Sequence, residues 1–205
     1  MKLKGFINQE DMEGNEVGGL SADAKEHIHS IPENSSVLAV LPSGFDANLM
    51  VPRLESPDRM GAIKELVDRL HHTGIVTGSL PFLQSVLDRE HLESTVTGDG
   101  IAFPHARCRS ASKLGLAFGL SQQGVSFGSE AFPEKVRIIA LLAVPVIGEV
   151  PYIPLLARLA GLFHDKIFKS GLLRCGTPEE MCGCLTRSMR RIFTEEFTPT
   201  TGGGL

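Results

Sequence analysis

The chain has 205 residues, of which 42% are hydrophobic and 21% are charged, and its formal net charge at pH 7 is −4. This composition is typical of a globular protein with one sizeable core and argues against a disordered chain. Lys and Arg are scattered and not in excess, so a nucleic-acid-binding protein is not indicated.

Three features bear on the compartment. The opening segment "MKLKGFINQEDMEGNE" turns acidic before any apolar stretch begins, which is not typical of a secretory signal. The longest apolar run, "IIALLAVPVIG", is shorter than the ~20 residues that a membrane helix needs. The four cysteines lack C-x-x-C spacing, which favours reduced thiols. We therefore expect a cytoplasmic protein.

The chain divides into three predicted parts. Residues 1–47 form an amino-terminal extension, for which we predict at most one strand, at Ser36–Pro42. Residues 48–193 form the predicted domain. Residues 194–205, rich in Thr and Gly, are predicted to be a flexible tail.

The first half of the predicted domain contains one strand and two helices. "NLMVPRL" from Asn48 is typical of a short strand. In the helix that follows, Ser56 is predicted as the N-cap and Pro57 as the first helical residue, while Gly74 suits the helix end. A second helix is predicted from Ser79 to about Glu90.

The second half combines long strands with helices. "KLGLAFGL" from Lys113 and "KVRIIALLAVP" from Lys135 are typical of buried strands in one sheet. "YIPLLARLAGLFHD" and "IFKSGLL" predict helices, and Thr177, Pro178 and Glu180 form a capping box that opens a last helix. Strands and helices alternate, so the predicted fold class is α/β, with a sheet covered by helices.

The segment "GDGIAFPHARCRS" presents a single histidine, His105, after an apolar run. A neutral imidazole, with an ordinary pKa of ~6.5, is a good nucleophile and a good leaving group, which suits reversible phosphoryl transfer. Such a transfer is assisted by a guanidinium, hydroxyls and free backbone N–H groups. The nearby candidates are Arg89, Ser94, Thr95, Gly98 and Gly100. Each also has an ordinary alternative role, as a solvated helix-end cation, a loop hydroxyl or a turn residue.

The longer stretch "LDREHLESTVTGDGIAFPHAR" resembles the signature of phosphotransferase-system enzyme IIA domains of the mannitol, fructose and nitrogen-regulatory class (type 2). In that family an R-E, a following S-T, a G-x-G-I-A and a P-H recur at this spacing. The flanking segments are similar too, and the resemblance covers roughly residues 48–192. It implies a mixed β-sheet covered by helices, with the histidine at the rim of the sheet.

The resemblance also implies an activity and partners. It makes His105 the residue that takes a phosphoryl group from a histidine phosphocarrier protein and passes it to an enzyme IIB domain. Arg89 matches the arginine that neutralises the phosphoryl charge, and Thr95, with Ser94 beside it, matches a hydroxyl near the histidine. The family's step needs neither a metal nor an organic cofactor. Any contact with a membrane would be indirect, through a separate permease.

The sequence departs from the family pattern at Tyr152. Many members have a second histidine where this tyrosine begins the helix after the long buried strand. A phenol can donate a hydrogen bond to a phosphoryl oxygen, but with an ordinary pKa near 10 it stays neutral. His91 is an alternative substitute for the missing histidine, and Cys108 an alternative second acceptor.

Tyr152 and the amino-terminal extension leave a second hypothesis open. The domain would then be a regulatory module that keeps the fold, docks on a protein partner and does not transfer a phosphoryl group efficiently. Within the first hypothesis, sugar uptake and regulation are both compatible with the sequence.

Overall fold

The fold is built on a mixed sheet whose centre is a pair of long strands. The computed structural model describes residues 45–97, 99–127, 134–148 and 152–195, the last six as backbone only. The strands are β1 (Met50–Val51), β2 (Val96–Thr97), β3 (Ile101–Ala102), β4 (His105–Cys108), β5 (Gly115–Ser126) and β6 (Lys135–Pro145). The helices are α1 (Arg59–His72), α2 (Ser79–Leu92), α3 (Tyr152–His164), α4 (Lys166–Leu172) and α5 (Pro178–Glu195).

The strand order is β1-β5-β6-β3-β2, and β4 also pairs with β6. β5 and β6 are antiparallel, as are β2 and β3. The pairs β1–β5, β3–β6 and β4–β6 are parallel. The predicted strands at "KLGLAFGL" and "KVRIIALLAVP" are therefore the central pair, and the predicted mixed sheet is confirmed.

Helices cover both faces of the sheet. Along β6, Ile139, Leu141 and Ala143 pack in one apolar cluster with residues of α1 and α2. The alternate residues, which include Ile138 and Leu142, pack in a second cluster with residues of α3, α4 and α5. A strand buried on both faces needs a nearly continuous apolar sequence, which explains the run in β6. The predicted α/β class is confirmed.

The start of α1 differs from the prediction. Asp58, not Ser56, is the N-cap, and its carboxylate accepts a hydrogen bond from the Gly61 N–H at 2.9 Å. The backbone N–H of Ser56 instead donates to the Glu65 carboxylate at 2.8 Å. Pro57 lies before the cap, where its carbonyl accepts from the Ser126 N–H, so the chain stays extended beside β5 for two residues more than predicted.

The predicted boundaries of α2 and α5 agree more closely with the structure. α2 begins at Ser79, as predicted, and ends at Leu92, two residues later than predicted. In α5 the N–H of Glu180 donates to the Thr177 hydroxyl at 3.2 Å, which confirms the predicted cap. The Glu180 carboxylate accepts from the N–H of Gly176, one residue before the N-cap.

The described residues test the predictions for the amino-terminal part of the chain only in part. The predicted strand Ser36–Pro42 and most of the extension 1–47 lie outside the described residues. The short strand predicted from Asn48 is a 3-10 turn, Ala47–Leu49, followed by β1. Among the described residues, no helix combines the length and the apolar character needed to cross a membrane.

A proline interrupts the edge that carries His105. β3 pairs with β6 at Ile138 and Ile139, and β4 resumes the pairing at Leu142, opposite His105. Between the two strands the carbonyl of Pro104 accepts a hydrogen bond from the Leu142 N–H at 2.9 Å. Proline has no N–H to give to a ladder, so the strand breaks there and starts again at His105.

Candidate functional site

His105 has a defined ring orientation. Its Nδ1 lies 2.9 Å from the carbonyl oxygen of Phe103, two residues earlier. Because a carbonyl oxygen only accepts, Nδ1 carries the proton, and the lone pair of the neutral ring is on Nε2. The side chain is partly buried at the first position of β4. In the neutral ring, Nε2 is therefore the nitrogen with an available lone pair.

Tyr152 lies next to this ring. The ring centroids of His105 and Tyr152 are 6.2 Å apart, with an angle of 46° between the planes. Tyr152 is the first residue of α3, so the amino-terminal end of that helix also lies beside His105. The helix macrodipole favours negative charge at this end. Phenol and helix end together provide polar surroundings suited to an anionic group on the imidazole.

Arg89 is in the last turn of α2 and is held by Glu93. Its guanidinium donates to the Glu93 carbonyl at 3.0 Å and lies 4.0 Å from the Glu93 carboxylate. The arginine side chain is 35% exposed and that of Glu93 is 82% exposed, so the ion pair itself is weak. A guanidinium has five N–H donors, and these two contacts leave donors available for an anion.

Ser94 and Thr95 converge on a residue that sequence reasoning did not select. Glu90 is only 3% exposed. Its carboxylate accepts from the Ser94 hydroxyl at 3.2 Å, from the Thr95 N–H at 3.1 and 3.3 Å, and from the Thr95 hydroxyl at 2.5 Å. Both hydroxyl protons are thus directed at Glu90. In this arrangement they are not available for the predicted contact with a phosphoryl oxygen.

A signal for Glu90 is present in the sequence. Phe82 and Val86 are buried in α2, and Glu90 follows at the same four-residue spacing, so the carboxylate occupies the apolar stripe of the helix. A buried carboxylate needs hydrogen-bond donors. The adjacent Ser94 and Thr95 are the residues that can supply them.

The described glycine of the turn, Gly100, does not lie at His105. Gly98 is outside the described residues. Gly100 has a φ of +74°, and its carbonyl accepts from the Arg137 N–H at 2.8 Å. The β6 partners of Ile101 and His105 are four residues apart, roughly 13 Å, and Gly100 is one residue further away. This placement does not support the predicted phosphoryl contact for Gly100, and the positive φ explains the glycine.

The structure does not support the alternative roles considered for His91, as a substitute for the second histidine, and for Cys108, as a second acceptor. His91 is exposed on α2. Cys108 packs with Ala106 against the cluster of α1 and α2. His105 is an odd number of positions from Cys108 along β4, so the two side chains lie on opposite faces of the sheet. Among the described residues, no group of three or more His, Cys, Asp or Glu is placed to hold a metal ion.

These observations define an α/β sandwich domain with a candidate phosphoryl acceptor at the sheet edge. The sequence model of the family described as "Phosphoenolpyruvate-dependent sugar phosphotransferase system, EIIA 2" matches residues 44–188. The chain belongs to this family, which confirms the resemblance found in the sequence.

Curated relatives of this chain include proteins described as fructose-specific components of the phosphotransferase system. The fructose-specific EIIA component of Haloferax volcanii is 31% identical over 118 residues, which are 56% of this chain and 75% of that protein. The fructose-specific EIIABC component of Bacillus subtilis is 28% identical over 120 residues, 58% of this chain and 19% of that protein. The chain thus spans about a fifth of such EIIABC relatives.

Solved structures share the fold. The nitrogen regulatory protein IIA-Ntr of Neisseria meningitidis superposes with a TM-score of 0.62 at 23% identity, covering 71% of this chain and 99% of that one. The mannitol IIA enzyme of Escherichia coli, solved in complex with phosphorylated mannitol IIB, gives a TM-score of 0.60 at 23% identity, covering 70% and 97%.

Proposed function

We propose that this protein is a phosphocarrier that accepts a phosphoryl group on Nε2 of His105 and passes it on. The donor is the phosphohistidine of a histidine phosphocarrier protein, and the acceptor is an enzyme IIB partner. The observation that carries the proposal is the Nδ1···Phe103 hydrogen bond, which leaves the lone pair on Nε2. Family membership supplies the reaction class.

The transfer is a substitution at phosphorus. The Nε2 lone pair attacks the phosphorus atom, a new N–P bond forms, and the N–P bond of the donor breaks with its electron pair returning to the donor imidazole. Nδ1 of His105 keeps its proton throughout, hydrogen-bonded to Phe103. In the second transfer the Nε2–P bond breaks as the IIB acceptor attacks. Positioning and charge stabilisation are the main sources of catalysis in such a step.

Three groups are proposed to stabilise the phosphoryl charge. The amino-terminal end of α3 supplies a positive partial charge, and the Tyr152 phenol can donate one hydrogen bond. Arg89 supplies a full positive charge from the end of α2. Ser94 and Thr95 contribute through Glu90 and not through direct contact.

An exposed apolar side chain near His105 suits a protein partner. Ile153, next to Tyr152 at the start of α3, is 66% exposed. Exposed aliphatic residues around a reactive group are suited to docking a protein. The mannitol IIA–IIB complex is a precedent among structures of this fold.

The test is the intact mass of the protein after incubation with phosphoenolpyruvate, enzyme I and the histidine phosphocarrier protein. The expected result is one acid-labile phosphoryl group on the wild type and on His91→Ala, and none on His105→Ala. His91 is a matched control because it is a nearby exposed histidine. Phosphorylation of folded His105→Ala contradicts the proposal.

The second candidate function is a docking module without efficient transfer, favoured by a tyrosine, Tyr152, in place of a second histidine beside His105. Under this alternative, folded wild-type protein takes up no phosphoryl group. Its capture of a partner would depend neither on His105 nor on the phosphoryl donor.

A further inference from the structure

We propose that Glu90 is a positioning residue for His105. Its buried carboxylate fixes Thr95, and the backbone of Thr95 fixes Phe103, whose carbonyl orients the imidazole. The inference rests on the proposed function, because it concerns how Nε2 of His105 is presented for phosphoryl transfer.

The first link is between Glu90 and Thr95. The backbone N–H and the hydroxyl of Thr95 both donate to the carboxylate, the hydroxyl at 2.5 Å. The Ser94 hydroxyl adds a third donor. Hydrogen bonds to a carboxylate are shorter and stronger than those between neutral groups. With the carboxylate 3% exposed, water competes little for these donors.

The second link joins Thr95 to His105. The Thr95 carbonyl accepts a hydrogen bond from the Phe103 N–H at 3.2 Å, next to the pairing of Val96 with Ala102. The carbonyl of the same Phe103 residue accepts from Nδ1 of His105 at 2.9 Å. The carboxylate and the imidazole are therefore joined through two intervening residues.

The energetics favour a role beyond packing. An apolar residue would continue the stripe of Phe82 and Val86 in α2, and a buried carboxylate at that position has a desolvation cost. That cost is offset only because the Ser94–Thr95 segment converges on it. Without the carboxylate, the Thr95 N–H and hydroxyl lose their acceptor, and the segment that supports Phe103 is released.

The consequence for His105 concerns its tautomer. When the Phe103 carbonyl is displaced, the ring is free to rotate and to carry its proton on Nε2, which moves the lone pair to Nδ1. Both changes reduce the fraction of protein in which Nε2 can attack. A substitution at Glu90 should therefore change the tautomer and orientation of the His105 imidazole, although the two residues are linked only through Thr95 and Phe103.

The test compares Glu90→Gln with Asp88→Asn. Asp88 is exposed, lies in the same turn of α2 and hydrogen-bonds to Gln84, so it controls for the lost charge. We expect Glu90→Gln to slow phosphorylation of His105 by about tenfold or more, because the orientation of the attacking atom contributes strongly to the rate of a transfer. Nitrogen-15 NMR should show the Nδ1–H tautomer of His105 less populated in Glu90→Gln than in Asp88→Asn. A folded Glu90→Gln protein with the wild-type tautomer and rate overturns the inference.

A second pair of variants covers a Glu90→Gln protein that does not fold. Thr95→Val keeps the backbone N–H but loses the hydroxyl, and Thr95→Ser keeps both. We expect the tautomer and the rate to change in Thr95→Val and to be restored in Thr95→Ser. Identical spectra and rates for these two variants overturn the inference. The NMR measurement needs no phosphoryl donor, so it stays decisive if the wild type is never phosphorylated and the proposed function fails.

Discussion

Tyr152 packs beside His105, with 6.2 Å between the ring centroids, at the amino-terminal end of α3. This tyrosine occupies the position where the family resemblance led us to expect a second histidine. Tyrosine, like histidine, is an aromatic side chain that can form hydrogen bonds. Unlike histidine, it cannot carry a positive charge near neutral pH.

Tyr152→His is predicted to make phosphorylation of His105 faster, with a rate advantage over the wild type that grows as the pH falls. The new imidazole is partly protonated near its ordinary pKa of ~6.5, so it adds positive charge beside the phosphoryl group as the pH falls. Tyr152→Phe keeps the ring and loses only the hydroxyl, and it should slow the reaction by about tenfold, since a hydrogen bond to a charged group is lost. Rapid-quench rates across pH are the measurement. A Tyr152→Phe rate equal to the wild-type rate would show that the phenol hydroxyl donates no hydrogen bond that stabilises the phosphoryl group during transfer.

Arg89→Ala is predicted to slow phosphorylation by about 100-fold, because a charge-assisted contact with the phosphoryl oxygens is lost. Arg89→Lys should restore only part of the rate, since an ammonium lacks the planar fork of donors. The matched control is Arg69→Ala, which removes an exposed arginine from the last turn of α1. Equal rates for Arg89→Ala and Arg69→Ala would exclude the proposed role of Arg89.

The sequence predicted the parts of the fold that depend on local patterns. β5 and β6 are long apolar runs between turn residues, and α2 starts at Ser79, where the pattern changes to helical spacing. The N-cap of α1 depends on a contact from elsewhere in the chain. The Glu65 carboxylate accepts a hydrogen bond from the N–H of Ser56, and the Asp58 carboxylate caps the helix by accepting from the N–H of Gly61. Residue preferences alone do not distinguish these two candidates.

The candidate site was only partly predictable for the same reason. His105 stands out because a proline and a strand present it in one short motif. The roles of Thr95 and Gly100 follow from longer-range geometry: the buried carboxylate of Glu90 takes the Thr95 hydroxyl, and the register of β3 on β6 carries Gly100 away from His105. Closeness in sequence does not specify the direction in which each group points.

Asp58→Ala is predicted to destabilise the protein by about 1 kcal/mol at neutral pH, because the Gly61 N–H loses its acceptor. The hydrogen bond from Gly61 holds the pKa of Asp58 below its ordinary value of 3.8. The cap contribution is therefore complete above that value and declines as the pH falls through the lower pKa of the folded state.

Asp58→Asn is the matched control, since asparagine also caps helices but does not titrate. Denaturant unfolding of all three proteins should show the wild type losing its advantage over Asp58→Ala in acid, while Asp58→Asn keeps its own. A wild-type advantage that does not change with pH would contradict the lowered pKa.

Gly100→Ala is predicted to lower stability without slowing phosphoryl transfer by folded protein. A side chain at a φ of +74° is strained by about 1 kcal/mol, and the added methyl would lie 3.3 Å from the Lys135 carbonyl oxygen. Gly74→Ala separates the two effects. Gly74 has a φ of +70° and open space around its missing side chain, so its substitution reports the backbone strain alone.

Unfolding free energies of the two alanine variants, together with phosphorylation rates corrected for the folded fraction, complete this test. We expect Gly100→Ala to be the less stable variant and to react within about twofold of the wild-type rate, because the turn lies more than ~13 Å from His105. A rate that falls well beyond twofold in folded Gly100→Ala would instead connect the turn to the site. It would support the phosphoryl-binding role first predicted for Gly100 from its place in the motif.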